Sequence, residues 1–375
     1  VHEEQLRLAW TVVQNSVEGI VVTDADERIL SVNRAFTDVT GYTAEDAIGN
    51  TPRMLQSGHH DRSFYESMWQ DIQILGFNVD AKEPPITIEK DETLYCTPRG
   101  QVAELKSKTV FSFTQAKSRE LVARRRPPSA EDLPPMLIRS LYFWKNPDAN
   151  PEYRILRPLP ARGYPSRHAT TYAVEVDRDM FALVTRLSDQ AHYSRPPQGQ
   201  PRATLYVAHH SSDAELRGDA WVRELVKSEP DSPFYACDVR GIGESRPDTC
   251  GADQFARPYG SDFFYAIHGL MLGSPYVGGK TLDVLTVMQW LASNGVREIH
   301  LAAKGWGTVP ATFAAVLAPK LIGPRLSIAR ISLKDRLESY ASLAESEDYA
   351  WPLSSFVPGE LANWDLPDCY RVLKI

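Results

Sequence analysis

The sequence is short of everything that would tie it to an oxidising compartment, a membrane or a polyanion. Its 375 residues hold four cysteines, Cys96, Cys237, Cys250 and Cys369, widely spaced and with no C-x-x-C pair. That usage fits unpaired thiols in a reducing compartment and excludes a disulfide framework or a cysteine-based zinc site, so no metal is expected. No apolar run reaches the length of a membrane span. The N-terminus lacks a basic region followed by an apolar core, so no signal peptide is read and a cytoplasmic location is expected. The chain begins with Val1 rather than Met, as a fragment would. Basic excess is also missing. The net charge is −7, and residues 1–76 carry 12 acidic and 5 basic side chains, which leaves 36 of each sign for the rest. An acidic head and a neutral body exclude nucleic acid as a partner and give no reason to expect a membrane surface. At this length two domains are expected.

The first 76 residues read as a small α+β unit. Glu3–Asn15 has helical apolar spacing. Gly19–Asp24 reads as a strand, Ala25–Arg28 as a turn, and Ile29–Asn33 as a second strand. Arg34–Thr40 reads as a short helix. Thr43 is a plausible N-cap for the next helix, with acidic residues in its first turn. Asp61–Ile72 reads as a further helix. The ordered set Asp24, Ile29, Asn33, Phe36, then Thr40-Gly41-Tyr42, Asp46 and Gly49, then Leu55-Gln-Ser-Gly58, Phe64-Tyr65 and Met68-Trp69 resembles a PAS domain, of the kind found before diguanylate cyclase and sensor kinase outputs. The resemblance implies sensing of a small-molecule ligand or homodimerisation through the head, with Asn33, Phe36 and Tyr42 as pocket candidates. The pattern stops at about Gly76, with only two of the family's five strands read. Ile86–Glu89 and Thr93–Cys96 are the only later stretches that could serve as strands. No cofactor is expected. A flavin adduct needs a cysteine near Asn50–Leu55, where there is none. His59 and His60, the only candidates for a haem ligand, lie in a loop-like stretch and read as solvated.

Residues 77–93 read as a linker, within a joint that runs from Phe77 to Val102 and is marked by Pro84-Pro85. From residue 94 onward the chain reads as a doubly wound α/β domain. Thr109–Arg126 is helical, and the arginines at its end read as a solvated terminus. Pro127, Pro128, Pro134 and Pro135 fence off another helix that ends near Leu141. Tyr172–Leu187 alternates around Asp177-Arg-Asp and predicts a hairpin. Four apolar runs follow, at Ala203–Ala208, Phe234–Asp238, Ile299–Ala302 and Ile328–Leu333. Helical stretches at Ala220–Lys227, Thr281–Asn294 and Pro310–Leu317 separate them. Strands alternating with helices predict a parallel sheet covered on both faces.

The stretch Ile299–Thr308 has the form of a strand, a glycine turn and a helix start. On the G-x-S-x-G template of a nucleophile elbow, the elbow residues are Lys304, Gly305, Trp306 and Gly307, and Gly305 occupies the nucleophile position. Glycine tolerates the positive φ of that turn but has nothing to attack with. Cys237-Asp-Val-Arg-Gly-Ile-Gly-Glu-Ser245 is similar to the D-x-R-G-x-G-x-S turn of α/β hydrolases. With Thr97–Val102, Tyr259–Asp262 and Asp365–Asp368, it makes residues 94–375 resemble acetyl xylan esterase-like proteins of the prolyl oligopeptidase group. The resemblance implies an oxyanion loop at His209, His210 and Ser211, here vestigial, and an acid and a histidine beyond a helix like Leu366–Leu373. No histidine follows His300. Asp335 and Glu338 offer an acid-like position.

No catalytic residue is therefore assigned. Lys304 reads as a surface charge, Thr308 as a helix residue and His268 as a packed or capped histidine. Asp238, Arg240 and Gly241 read as a structural turn held by a local ion pair. Gly278-Gly-Lys-Thr281 looks like a phosphate loop but lacks the preceding glycine and strand. Three readings follow: a noncatalytic PAS-linked hydrolase-like protein that binds a ligand or partner, a carbohydrate esterase with an altered site, or a chain joined from two genes.

Overall fold

The structure, a computed structural model, describes residues 10–11, 13–55, 63, 88–142, 145–156, 162–191, 195–246 and 262–375. By its internal contacts the chain divides into Val1–Leu94 and Tyr95–Ile375.

In the first unit, β1 (Val21–Thr23) pairs antiparallel with β2 (Ile29–Val32), and α1 (Arg34–Thr40) and α2 (Ala44–Ala47) follow. Each polar residue of the head motif has a local backbone task. Asp24 Oδ1 accepts the Asp26 and Arg28 N–H groups at 3.0 and 2.8 Å and closes the turn between the strands. Asn33 caps α1 by accepting the Phe36 N–H, and Gly41 ends that helix in the left-handed conformation. Thr43 and Asp46 form a reciprocal capping box on α2. Ile29, Val32, Phe36 and Ala47 make a small core. Thr93–Cys96 does not continue the sheet. Asp91–Leu94 is instead one helical turn, α3, opening on two carboxylates that suit a helix N-terminus. Ile88 and Glu89 are not in a strand either. Most of Glu3–Asn15, the Asp61–Ile72 helix apart from Ser63, and the histidines 59 and 60 lie outside the described residues.

The second unit opens with α4 (Val110–Arg124), capped by Thr109, and α5 (Leu133–Ser140). The arginines that end α4 are not all solvated. Arg125 is mostly buried, with Nη1 3.4 Å from Asp368, because α12, introduced below, packs there. A seven-stranded sheet follows: β3 (Tyr153–Ile155), β4 (His168–Asp177), β5 (Met180–Ser188), β6 (Arg202–Val207), β7 (Phe234–Asp238), β8 (Glu298–Lys304) and β9 (Ser327–Lys334). Their spatial order is β3-β4-β5-β7-β6-β8-β9. The four apolar runs are the parallel strands β6 to β9, as the alternation with helices predicts. The β4–β5 hairpin adds antiparallel strands beside β7, so the sheet is mixed. An antiparallel pair needs only the two-residue turn at Arg178-Asp179, whereas parallel neighbours need a helical crossover.

The crossovers are α6 (Ser212–Gly218), α7 (Ala220–Ser228), α8 (Phe263–Met271), α9 (Tyr276–Ser293) and α10 (Thr308–Leu321). After β9 come α11 (Tyr340–Ala344) and α12 (Leu366–Leu373). Side-chain alternation sends Tyr206 of β6 against Trp221 of α7 on one face of the sheet. On the other face Tyr172 of β4 and Tyr235 of β7 meet the buried Trp290 of α9, at 5.1 and 5.9 Å between ring centres. Both faces are thus covered, and the central strands β6, β7 and β8 are buried almost throughout, whereas the edge strands β3 and β9 are partly or fully exposed.

The stretch that resembled a phosphate loop lies inside α9, and its glycines are there for close packing. A Cβ on Gly278 would stand 2.2 Å from the Leu141 carbonyl oxygen, and one on Gly279 would stand 2.6 Å from an Arg240 guanidinium nitrogen. Lys280 is buried and paired with Asp262. Gly278→Ala is expected to lower stability by about 1–3 kcal/mol, because backbone must move to admit the methyl group. Gly218→Ala, at the end of α6 with nothing within 4 Å, is expected to be neutral or to stabilise by up to about 1 kcal/mol. Urea denaturation midpoints of the two variants check the pair.

Candidate functional site

At the C-terminal end of β8 the chain makes one 3₁₀ turn, Gly305–Gly307, and enters α10. Gly305 has φ +48°, in the left-handed region that side chains rarely adopt. A Cβ placed on it would lie 2.5 Å from Nδ1 and 2.9 Å from Cε1 of His209. The imidazole therefore fills the space that a serine side chain would need. Gly307 fits beneath β6, with the Ala208 carbonyl oxygen 2.5 Å from where its Cβ would be. Thr308 is buried and donates its hydroxyl to the Gly305 carbonyl at 2.6 Å. Lys304 is not a surface charge. It is only 20% exposed and paired with Asp219, whose carboxylate also caps α7, and that hydrogen bond holds the Lys304 ammonium above its ordinary pKa.

In α/β hydrolases, the N–H after the nucleophile and an N–H from the loop following an earlier strand form the oxyanion hole. Here both are engaged internally. The Trp306 N–H donates to His209 Nδ1 at 3.1 Å. The N–H groups of His209, His210 and Ser211 donate to the Glu215 carboxylate at 3.1, 2.8 and 3.1 Å, and the Tyr206 hydroxyl donates to the same carboxylate. Glu215 was not singled out from sequence. Its only signal is a carboxylate four residues after the N-cap Ser211, close enough to fold back on the loop.

Burial, aided by the neighbouring His210 and Lys304, pushes the His209 pKa down to about 4, against the pull of Glu215 and Asp335. The ring is neutral near pH 7. Because Nδ1 accepts from Trp306, the proton sits on Nε2. His210 is exposed, lies against His209 with ring centres 3.5 Å apart and the planes tilted by 33°, and is edge-on to Trp306 at 4.2 Å.

The turn after β7 braces this loop. Asp238 Oδ1 accepts the Ser212 N–H at 2.7 Å, and Oδ2 accepts the Glu244 N–H at 3.0 Å. Burial raises the Asp238 carboxyl to about 6 in spite of those bonds. The expected Asp238–Arg240 ion pair does not form. Arg240 reaches across to Asp283 on α9, with Nη2 to Oδ1 at 2.5 Å and Nε to Oδ2 at 2.9 Å, a partner 43 residues away that sequence proximity hides. Gly241 is buried at φ +83° beside Asp262. His268 is exposed on α8 rather than packed, while Asp335 and Glu338 are exposed after β9. Among the described residues no group of three His, Cys, Asp or Glu side chains converges to hold a metal.

The three head candidates sit in different surroundings. Asn33 is buried with every polar atom engaged: Oδ1 accepts the Ile20 and Phe36 N–H groups, and Nδ2 donates to the Val13 and Glu18 carbonyls. Phe36 is core, and Tyr42 is 40% exposed. Asn33 is a staple between segments, a role that long-range contacts decide.

His209 supplies a pH test. Its folded pKa lies below the unfolded value, so the unfolded chain binds the proton first and stability falls as pH drops from about 6.5 towards 4. Urea midpoints between pH 7 and pH 5 should fall more steeply for the native chain than for His209→Gln. Equal slopes would show that the ring is not held neutral.

Residues 11–97 match the family model for the PAS fold, a span that runs past Gly76. Nitrogen fixation regulatory proteins of Klebsiella oxytoca and Klebsiella pneumoniae are each 35% identical to this chain over 65 residues, which is 17% of this chain. The match spans only 13% of the length of those proteins. A Bacteroides fragilis protein assigned as an acetyl xylan esterase superposes with a TM-score of 0.52 at 15% identity, over 71% of this chain and 73% of its own. The acetyl xylan esterase of Paenibacillus sp. R4, at 15% identity over 57% and 60%, gives a TM-score of 0.30, too low to bear on the fold. The head of this chain carries the PAS fold, and its body is a mixed-sheet domain of the α/β-hydrolase fold.

Proposed function

We propose that this is a sensory protein in which a PAS head is joined to a hydrolase-fold body whose elbow does not turn over substrate. The observation that carries the reading is His209, whose ring lies where a nucleophile's side chain would stand and accepts the N–H that would stabilise an oxyanion. An ester carbonyl entering the elbow meets no attacking atom. It also meets no free backbone donor from Trp306 or from residues 209–211. The body then serves as a binding scaffold, and the head as the element that receives a small-molecule signal or pairs with a second copy. The regulatory name of the Klebsiella proteins supports the sensory part, through a likeness of 65 residues. The buried, unpaired Cys237 and Cys369 suit a reducing cytoplasm.

With p-nitrophenyl acetate the full chain is expected to show no sustained release of nitrophenolate above the spontaneous rate, and Thr308→Val is expected to change nothing. Sustained turnover that is lost in Thr308→Val would overturn the reading in favour of an esterase with an altered elbow.

A further inference from the structure

His300 is the third residue of β8, five residues before Gly305 and so about 16 Å from it along the strand. Its ring is 6% exposed, and both of its nitrogens are engaged by side chains from other elements. Glu229, in the connection between α7 and β7, sets Oε1 2.7 Å from Nδ1, while Ser332 of β9 sets Oγ 2.9 Å from Nε2. The other Glu229 oxygen accepts the Thr204 hydroxyl at 2.5 Å. Burial opposes ionisation of Glu229, but the Thr204 and His300 hydrogen bonds outweigh it and keep the carboxyl below its ordinary range. A carboxylate only accepts, so Nδ1 must carry the proton of the neutral ring. Nε2 is then bare and accepts from the Ser332 hydroxyl. Burial keeps His300 below its ordinary pKa, which favours that neutral state. The order is carboxylate, imidazole, hydroxyl, with the imidazole placed to take the hydroxyl's proton.

Two observations separate this cluster from a histidine that is merely satisfied in a core. Ser332 is partly exposed, on a strand at the edge of the sheet. A cavity of about 370 Å³ opens beside the ring, with Glu229, Asp231, Glu298, Arg202, Arg330 and His300 in its wall and Ser332 outside it. Strand alternation also puts Arg330 and Lys334 on the same face as Ser332, one on each side. Arg330 is 64% exposed, with Nη1 3.5 Å from Glu229 Oε1.

We propose that Glu229, His300 and Ser332 form a nucleophilic relay separate from the elbow, able to take an acyl group from a small activated ester onto Ser332. The Ser332 Oγ attacks the acyl carbonyl as its proton passes to His300 Nε2. The new Oγ–C bond forms, the bond from the carbonyl carbon to the leaving oxygen breaks, and that oxygen takes the proton from His300. The products are an acyl-serine and a free alcohol, with no change of oxidation state. Arg330 and Lys334 supply positive charge on that face and favour acyl groups with an anionic or strongly polar end. Glu229 is the positioning residue that fixes the tautomer.

The test treats the full chain with p-nitrophenyl acetate, reads the initial burst, and maps the acetylated peptide by mass spectrometry. The expected result is about one equivalent of nitrophenolate and an acetyl group on Ser332, both absent in Ser332→Ala. His300→Gln, checked for native circular dichroism, should slow the burst about 100-fold. It should also remove a rise in rate that levels off once His300 is neutral, in a field set by Glu229, Arg330, Lys334, Arg202 and Glu298. No adduct at Ser332, or a burst unchanged in His300→Gln, overturns the proposal. An adduct confined to residues 304–308 overturns both this proposal and the silent elbow, whereas no adduct anywhere overturns this proposal alone.

Discussion

The Asp283 carboxylate is fully buried inside α9, and the geometry of the body's upper end follows from how it is neutralised. A carboxylate in that position is tolerable only with a cation and hydrogen bonds around it. Arg240 supplies both, through its guanidinium and through its own backbone N–H at 2.8 Å. Gly279 leaves the room for it. Removing either partner would leave a charge without compensation in the core, an error of about 3–5 kcal/mol. With Arg240 fixed, the turn after β7 is fixed. Asp238 then holds the start of α6 through the Ser212 N–H, and the His210 carbonyl accepts the Gly243 N–H at 2.8 Å. His209 is carried to its place over Gly305 by this sequence of contacts.

At the elbow the strand–turn–helix backbone is present, and glycine stands at its tip. The strained turn between β8 and α10 persists because the strand must reverse onto the sheet, and glycine at φ +48° relieves the strain that a side chain there would carry. The oxyanion donors are not left bare, which in a partly buried site would be costly. They are satisfied by His209 and by Glu215. Lys304, flanking the turn, is neutralised by Asp219. The Trp306 N–H, the N–H groups of residues 209–211, the Thr308 hydroxyl and the Lys304 ammonium are all engaged within the fold.

The head was legible from its sequence to an unusual degree because its motif residues act on their own neighbourhood. Asp24 closes a turn, Thr43 and Asp46 cap a four-residue helix, and Gly41 ends another, all within a few residues of themselves. Asn33 was legible as a cap, but not as the staple that also binds Val13, Glu18 and Ile20. In the body, the four parallel strands and their crossovers were legible from apolar runs and turn signals. The short β3, with no periodicity to display, and the antiparallel junction of β5 with β7 were not.

The sequence by itself determined the fold class, the position of the elbow and the absence of a side chain at Gly305, because strand and helix periods and a glycine's conformational range are local properties. Tertiary structure alone decided which charges are paired and which polar groups are free. Arg240 meets Asp283 and not Asp238, Lys304 meets Asp219, Arg125 lies by Asp368, and Glu229, His300 and Ser332 converge from three separate elements. These pairings depend on which strands become neighbours and which faces are buried. No spacing along the chain encodes that, since the energy of a buried charge is set by whatever surrounds it in space.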